Sequence, residues 1–196
     1  MANVLVQLSG EMAGLAESTR RSVVQVSNGR GGAGAGLIWS TEGLIVTNAH
    51  VVHHDAPQVT LPDGQRQTAS VLAHDAGRDL ALLSIRAHGL PAISLGDSSG
   101  LRAGDLVFAV GHPWGVEGAV SAGVVIGQGS DLPELGRANH EWLMVGLTLR
   151  PGNSGGPLVD VNGRLVGVNT IMTGPKVGGA VPVHVVKAFL DKALLN

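Results

Sequence analysis

Apolar residues in this chain fall in short runs separated by glycine-rich polar breaks, and the spacing changes character along its length. Val4, Leu5, Leu8, Met12, Leu15 and Ala16 recur at steps of three and four, which predicts an amphipathic helix ending near Ser18-Thr19. From Ser22 onward the pattern is that of strands. Ser22 to Ser27 is one, and Leu37-Ile38-Trp39 and Leu44-Ile45-Val46-Thr47 flank a turn at Ser40 to Gly43. Gln58 to Leu61 and Gln67 to Ala73 form a hairpin about Pro62-Asp63-Gly64, where proline presets the turn and glycine tolerates its strained position. Leu80 to Ile85 is almost continuously apolar, as expected of a strand with little face in water. A polar, glycine-rich crossing, Leu95 to Gly104, precedes a second set: Leu106 to Val110, Val120 to Ile126, Trp142 to Leu149, and the run of Val159, Val161, Leu165 and Val168. Gly127 to His140 is polar and predicts a surface loop. After Pro182, the residues Val185, Val186, Phe189, Leu190 and Leu194 share one helical face, with proline at the start. The expected organisation is a helical arm over 1–20, β-rich halves over 21–98 and 99–181, and a closing helix over 182–196.

Composition narrows the function classes. With 44% hydrophobic and 14% charged residues, a chain of 196 residues buries a sizeable core and is not disordered. Thirty glycines and nine prolines among short apolar runs favour strands and tight turns over a helical bundle. A net charge of −2 with no Lys/Arg cluster gives nucleic-acid phosphates nothing to hold. The absence of cysteine excludes disulfides, a thiol nucleophile and a thiolate zinc site. No apolar run approaches the roughly 20 residues that cross a bilayer. The start lacks the basic and long apolar segments of a secretory leader, so the protein is expected to be cytoplasmic or to have lost its leader earlier.

Four stretches carry candidate chemistry. Gly29 to Gly34 matches G-x-G-x-x-G, but strand, turn and strand follow where a dinucleotide site needs a helix, so a hairpin loop is expected. His50 stands at the end of an apolar strand, with His53 and His54 close behind. His50 and His54 have the spacing of a zinc-binding helix, but Val51 occupies the place of its glutamate; no metal is expected, and His53 and His54 read as a solvated turn. Asp79 is a carboxylate at the mouth of a buried strand and requires a partner, either a cation such as Arg78 or an imidazole N–H. Arg150 to Leu158 (RPGNSGGPL) sets Ser154 between glycines, in a turn where consecutive N–H groups can point at one spot. A serine attacks only with a base and an orienter. The chain order His50, Asp79, Ser154 is that of chymotrypsin-type double barrels. Gly152 to Gly156 also matches the G-x-S-x-G elbow, but Pro157 and a β-like run follow the serine, and only His184 lies beyond it.

With these residues in place the chain resembles the HtrA/Deg family of chymotrypsin-fold serine proteases. The resemblance rests on Thr47 to Val52 (TNAHVV), Arg78 to Leu83 (RDLALL), Leu95 to Ser98 (LGDS), Gly104 to Pro113 (GDLVFAVGHP), Gly152 to Leu158 (GNSGGPL), Gly163 to Thr170 (GRLVGVNT) and Gly179 to Pro182 (GAVP). Together they span most of residues 22–190. The resemblance implies an all-β fold of two antiparallel barrels of about six strands each, with short terminal helices and the site between the barrels. It implies a serine endopeptidase acting through His50, Asp79 and Ser154 on unfolded or flexible protein, with no cofactor. The alternative is a silent protease-like module that binds peptide. It assigns the oxyanion hole to Gly152, Asn153 and Ser154. Thr148, Leu149, Arg150, Thr170, Ile171 and Met172 would wall the primary pocket; no acid is among them, so a small or medium aliphatic P1 residue is expected. Gly179 stands where relatives often have a bulkier residue, which would widen the pocket, and Asn169 to Met172 offer an edge for an extended peptide. Digestive relatives have an acid at Asn153 that pairs with a new N-terminus, so no zymogen cleavage is expected. The family is often periplasmic and often trimeric, but the arm lacks aromatics and the chain lacks tyrosine, which argues against the usual trimer. The chain closes after one helix, so the PDZ domain of many relatives is not expected. Regulation is then expected in the loops around 127–140 and 172–178.

Overall fold

The computed structural model describes residues 2–27, 33–53, 56–132 and 136–195. The glycine loop read at 29–32, His54 and Pro133 lie outside them. Thirteen strands and two α-helices are present among the described residues. Helix α1 spans Ala2–Arg20 and helix α2 Val183–Leu194. The first sheet contains β1 (Val23–Ser27), β2 (Ala33–Ile38), β3 (Leu44–Thr47), β4 (Gln58–Thr60), β5 (Arg66–Thr68), β6 (Ser70–Asp75) and β7 (Leu80–Ser84). Its order is β5-β4-β1-β2-β3-β7-β6, seven strands where about six were expected. The second contains β8 (Leu106–Gly111), β9 (Ala119–Leu132), β10 (Gly136–Val145), β11 (Pro157–Val159), β12 (Leu165–Gly174) and β13 (Val177–Pro182), closed as β10-β13-β12-β11-β8-β9. Every named strand pairing is antiparallel. The fold is a trypsin-like double β-barrel.

The near-continuous apolar strands bury both faces, and alternate residues serve different cores. In β7, Ala81 and Leu83 point into the first barrel with Val24, Val26, Ile38, Ile45 and Val59. Leu80 and Leu82 turn the other way. They join Leu37 and Val46 in a cluster shared with Phe108, Val159, Leu165, Val168 and Val181 of the second sheet. Val185, Val186, Phe189 and Leu190 of α2 complete that shared cluster, so the closing helix and both sheets pack on one another. A third cluster, including Val107, Leu143, Val145, Leu158 and Val166, fills the second barrel.

One expectation needs correction. The polar stretch from Gly127 is a long ribbon of β9 and β10, not a loop, with Asp131 paired to Arg137 and Gln128 to Leu143. Gly127 to Ser130 contain no buried position, so the alternation that normally marks a strand is missing there. The stripe of α1 is only partly used: Leu15 packs on the shared core, while Val4, Leu5, Leu8 and Met12 are solvent-exposed. No helix among the described residues is long and apolar enough to cross a membrane.

Candidate active site

The strand end Thr47-Asn48 leads into a single turn of 3-10 helix, Ala49–Val51, which lifts His50 out of the sheet. Asp79 lies where the chain enters β7 and adopts φ +54°, a left-handed conformation that aspartate tolerates better than most residues. The Asn48 side-chain amide donates to the Asp79 carbonyl at 2.8 Å. The Asp79 carboxylate is thereby turned onto His50, accepting from its backbone N–H at 3.0 Å and facing its ring Nδ1 at 2.8 and 2.9 Å. Thr170, on β12, adds a short hydrogen bond from its hydroxyl to the same carboxylate. The cation alternative for Asp79 is excluded locally, because Arg78 pairs with Asp75 at 2.7 Å.

This arrangement sets the protonation states. A carboxylate can only accept, so the neutral His50 ring carries its proton on Nδ1 and presents the lone pair of Nε2. Burial pushes the Asp79 pKa up, but the hydrogen bonds from the His50 ring, the Thr170 hydroxyl and the His50 N–H outweigh it, holding the carboxyl below the usual aspartate range.

The second sheet contributes the serine turn. Asn153 N–H donates to the Arg150 carbonyl at 2.8 Å, Pro151 follows Arg150, and Gly152 has φ +101°. This is a type II turn, in which Pro at the second position and Gly at the third orient the central peptide opposite to a type I turn. The Asn153 side chain closes the same turn from within, its Oδ1 accepting from the Arg150 N–H at 3.0 Å. Outside bonds hold the loop on both sides. His112 N–H donates to the Gly152 carbonyl at 2.8 Å, Ala35 N–H to the Ser154 carbonyl at 2.8 Å, and Gly155 N–H to the Asn169 carbonyl at 2.9 Å. The N–H groups of Gly152 and Ser154 make no hydrogen bond among the described residues. Asn153, named with them from the sequence, differs: its N–H is consumed by the turn.

The Ser154 hydroxyl donates to the Thr170 carbonyl at 2.9 Å, and among the described residues it makes no hydrogen bond to His50. Ser154, His50, Gly152 and Thr170 nevertheless line one open cleft of about 370 Å³, together with Ala33, Gly34, Val51, His53, Leu149, Arg150, Pro151 and Met172. Of the six expected pocket residues, Leu149, Arg150, Thr170 and Met172 line this cleft and Thr148 does not; nothing is described of the Ile171 side chain. Leu149 is buried, and its N–H donates to the Met172 sulfur at 3.0 Å. The glycine against Leu149 is Gly178, where a Cβ would stand 3.0 Å from the leucine side chain; Gly179 pairs with Met144 and Ile171 instead. No group of three or more His, Asp or Glu residues that could hold a metal occurs among the described residues.

Three contributions were not assigned from the sequence: the Thr170 hydroxyl on Asp79, the Asn48 amide behind it, and the His112 backbone under Gly152. Asn48, His112 and Thr170 all lie within the motif stretches that carry the family resemblance, which is the only signal that pointed to them.

Comparisons with known proteins agree with this geometry. Residues 34–168 match the model of the trypsin-like peptidase domain. The mitochondrial serine protease HTRA2 of Drosophila pseudoobscura pseudoobscura is 40% identical over 165 residues, covering 82% of this chain and 39% of the fly protein. A probable periplasmic serine endoprotease, DegP-like, of Chlamydia trachomatis serovar D is 38% identical over 169 residues, covering 82% of this chain and 33% of its own length. This chain therefore spans about two fifths or less of these relatives. The HtrA-type protease AlgW solved with a decapeptide superposes with a TM-score of 0.85 at 28% identity, over 94% of this chain and 67% of that one. AlgW with a tripeptide gives 0.83 at 32% identity, over 91% and 62%.

Proposed function

The chain belongs to the trypsin-like peptidase domain family, as an HtrA-type protease domain, and from that premise we propose that it is a serine endopeptidase that cleaves unfolded or flexible polypeptides. Ser154 is the nucleophile, His50 the base and Asp79 the orienter. The observation that carries this reading is the lock between Asp79 and His50 Nδ1 at 2.8 Å, which leaves Nε2 as the ring's acceptor, in a cleft that His50 and Ser154 both line.

A peptide entering the cleft as an extended strand offers its N–H groups to the Thr170 carbonyl and competes with the Ser154 hydroxyl for it. Released, Ser154 turns to His50 Nε2, gives up its proton and attacks the scissile carbonyl. The N–H groups of Gly152 and Ser154 receive the oxyanion, each lowering the barrier by about 3 kcal/mol in comparable sites. The imidazolium, stabilised by Asp79, protonates the leaving amine. Water then repeats the sequence on the acyl-enzyme. Leu149 and Met172 supply an apolar wall without a carboxylate, which supports a small or medium aliphatic P1 residue.

The Ser154–Thr170 bond gives the competing reading, a silent peptide-binding module, its one specific support. Labelling with a fluorophosphonate probe, combined with casein cleavage, separates the two. The expected result is labelling and cleavage in the wild type, both lost in Ser154→Ala, with His50→Ala reducing kcat by roughly 10⁴- to 10⁶-fold. An intact, folded wild type that neither labels nor cleaves would establish the silent module. Activity surviving Ser154→Ala, or abolished by a chelator, would remove the serine mechanism.

A further inference from the structure

Met172 brings a thioether to the wall of the cleft. It lies on β12 opposite Gly178 of β13, which has no side chain to cover it, and 38% of Met172 remains accessible. Its sulfur accepts the backbone N–H of the buried Leu149 at 3.0 Å, which anchors the side chain against the wall. That bond also fixes where chemistry at the sulfur can occur. Across 3.0 Å there is no room for an oxygen between nitrogen and sulfur, so only the lone pair turned away from Leu149 is open to an oxidant. Among the described residues the sulfur has no other donor. The chain holds four methionines and no cysteine, so thioethers are its only sulfur targets. Met1 lies outside the described residues, and Met144 is buried in the shared core. Met12 on α1 is as exposed as Met172, at 37%, but does not line the cleft. Exposure selects Met12 and Met172, and position selects Met172 alone.

We propose that Met172 is an oxidation site, and that its conversion to the sulfoxide by hydrogen peroxide turns the primary pocket away from aliphatic P1 residues. This rests on the peptidase reading above and names a regulation of the same cleft. The sulfur lone pair attacks one peroxide oxygen, the O–O bond breaks, and the departing hydroxide takes the proton of the sulfur-bound oxygen and leaves as water. Sulfur is oxidised by two electrons and the peroxide is reduced by the same two. A flexible apolar side chain becomes polar and chiral, and the change is reversible by methionine sulfoxide reductases. The new oxygen, turned away from Leu149, meets no donor of the wall. An aliphatic P1 side chain packed on it strips its water and offers no hydrogen bond in return, whereas a hydroxyl does.

The test uses quenched fluorescent peptides that differ only in valine or threonine at P1, side chains of similar shape and different polarity. Hydrogen peroxide should convert Met172 and Met12 to sulfoxides and spare Met144, as read by peptide mass spectrometry. The Val/Thr ratio of kcat/KM should then fall about tenfold in the wild type. Methionine sulfoxide reductases should restore it. Met12→Leu should show the same fall. Met172→Leu, whatever ratio it starts from, should hold that ratio through peroxide treatment. Met172 remaining reduced while Met12 is oxidised would overturn the proposal. A Val/Thr ratio unmoved by full oxidation of Met172, or an equal fall in Met172→Leu, would overturn it as well. Loss of all cleavage and of fluorophosphonate labelling in the untreated wild type would instead remove the peptidase reading, and with it the effect on P1, while mass spectrometry still decides the oxidation site.

Discussion

The Ser154 hydroxyl donates a hydrogen bond to the backbone carbonyl of Thr170 at 2.9 Å, while the hydroxyl of the same threonine is bonded to Asp79. One residue of β12 thus holds both the proposed nucleophile and the proposed orienter. Thr170→Val keeps the carbonyl and removes the hydroxyl. With one charge-assisted bond lost from a half-buried carboxylate, kcat should fall about tenfold, equivalent to roughly 1.4 kcal/mol of barrier. Thr170→Ser should restore most of it. The pH dependence provides a second readout. The folded Asp79 pKa is depressed, so its contribution to stability is present above the ordinary aspartate value and lost as pH falls through the folded one. In Thr170→Val that loss should be smaller and should be complete at a higher pH in acid melts.

His112 predicts a separate acid sensitivity. Burial pushes its pKa down, and the Val24 carbonyl and Glu117 carboxylate, which pull it up, do not compensate. Its neutral ring accepts from the Gly118 N–H at 3.3 Å. Since the folded value is depressed, the stability contributed by neutral His112 is complete above about pH 6.5 and declines as pH falls toward the folded value. Thermal melts between pH 7 and pH 5 should therefore show a steeper drop for wild type than for His112→Gln, whatever the variant's starting stability. Equal slopes would show that His112 is not the group titrating.

Asn153 is buried, and its Nδ2 has no partner among the described residues. Asn153→Asp keeps an acceptor for the Arg150 N–H but replaces the amide with a second carboxylate oxygen facing no donor. Burying that charge should cost about 3 kcal/mol or more at pH 7, measured by denaturant midpoint. A buried acid has a raised pKa, so the deficit relative to wild type should narrow toward pH 5.

Two glycines with nearly the same backbone provide an internal control. Gly155 has φ +83° and Gly64 φ +85°. A Cβ at Gly155 would collide with the Ala35 carbonyl and the Thr47 hydroxyl, whereas nothing lies within 4 Å of one at Gly64. Gly64→Ala should cost about 1 kcal/mol, from backbone strain alone. Gly155→Ala adds overpacking and should cost about 3 kcal/mol or more in total, or prevent folding. Similar midpoints for the two would contradict the close packing of Gly155 on Ala35 and Thr47.

His50, Asp79 and Ser154 were legible because each sits where an apolar run breaks, and glycine and proline around Ser154 announce the turn. Thr170 was read only as a pocket wall. Its bond to Asp79 joins residues 91 apart in the chain, and the local pattern of GRLVGVNT holds nothing to distinguish a hydroxyl facing a carboxylate from one facing a substrate. The β9–β10 ribbon was missed for a different reason: binary patterning reports strands only where a face is buried, and Gly127 to Ser130 bury none. The Thr148 assignment came from its place in the sequence before the serine, which does not determine whether a residue reaches the cleft.

The serine turn is stitched to the first sheet by Ala35 on the Ser154 carbonyl, and Gly155 fits against the Ala35 carbonyl with no room to spare. Many two-lobed enzymes admit substrate by swinging their lobes apart, on microsecond to millisecond timescales. Here such a swing would tear the backbone of Ser154 from its neighbour Ala35. The motion that the proposed mechanism asks of the site is rotation of the Ser154 hydroxyl about a single bond, from the Thr170 carbonyl to His50, a picosecond-to-nanosecond event. Its tempo is then set by how often a suitable strand arrives and fits, and not by waiting for a door to open.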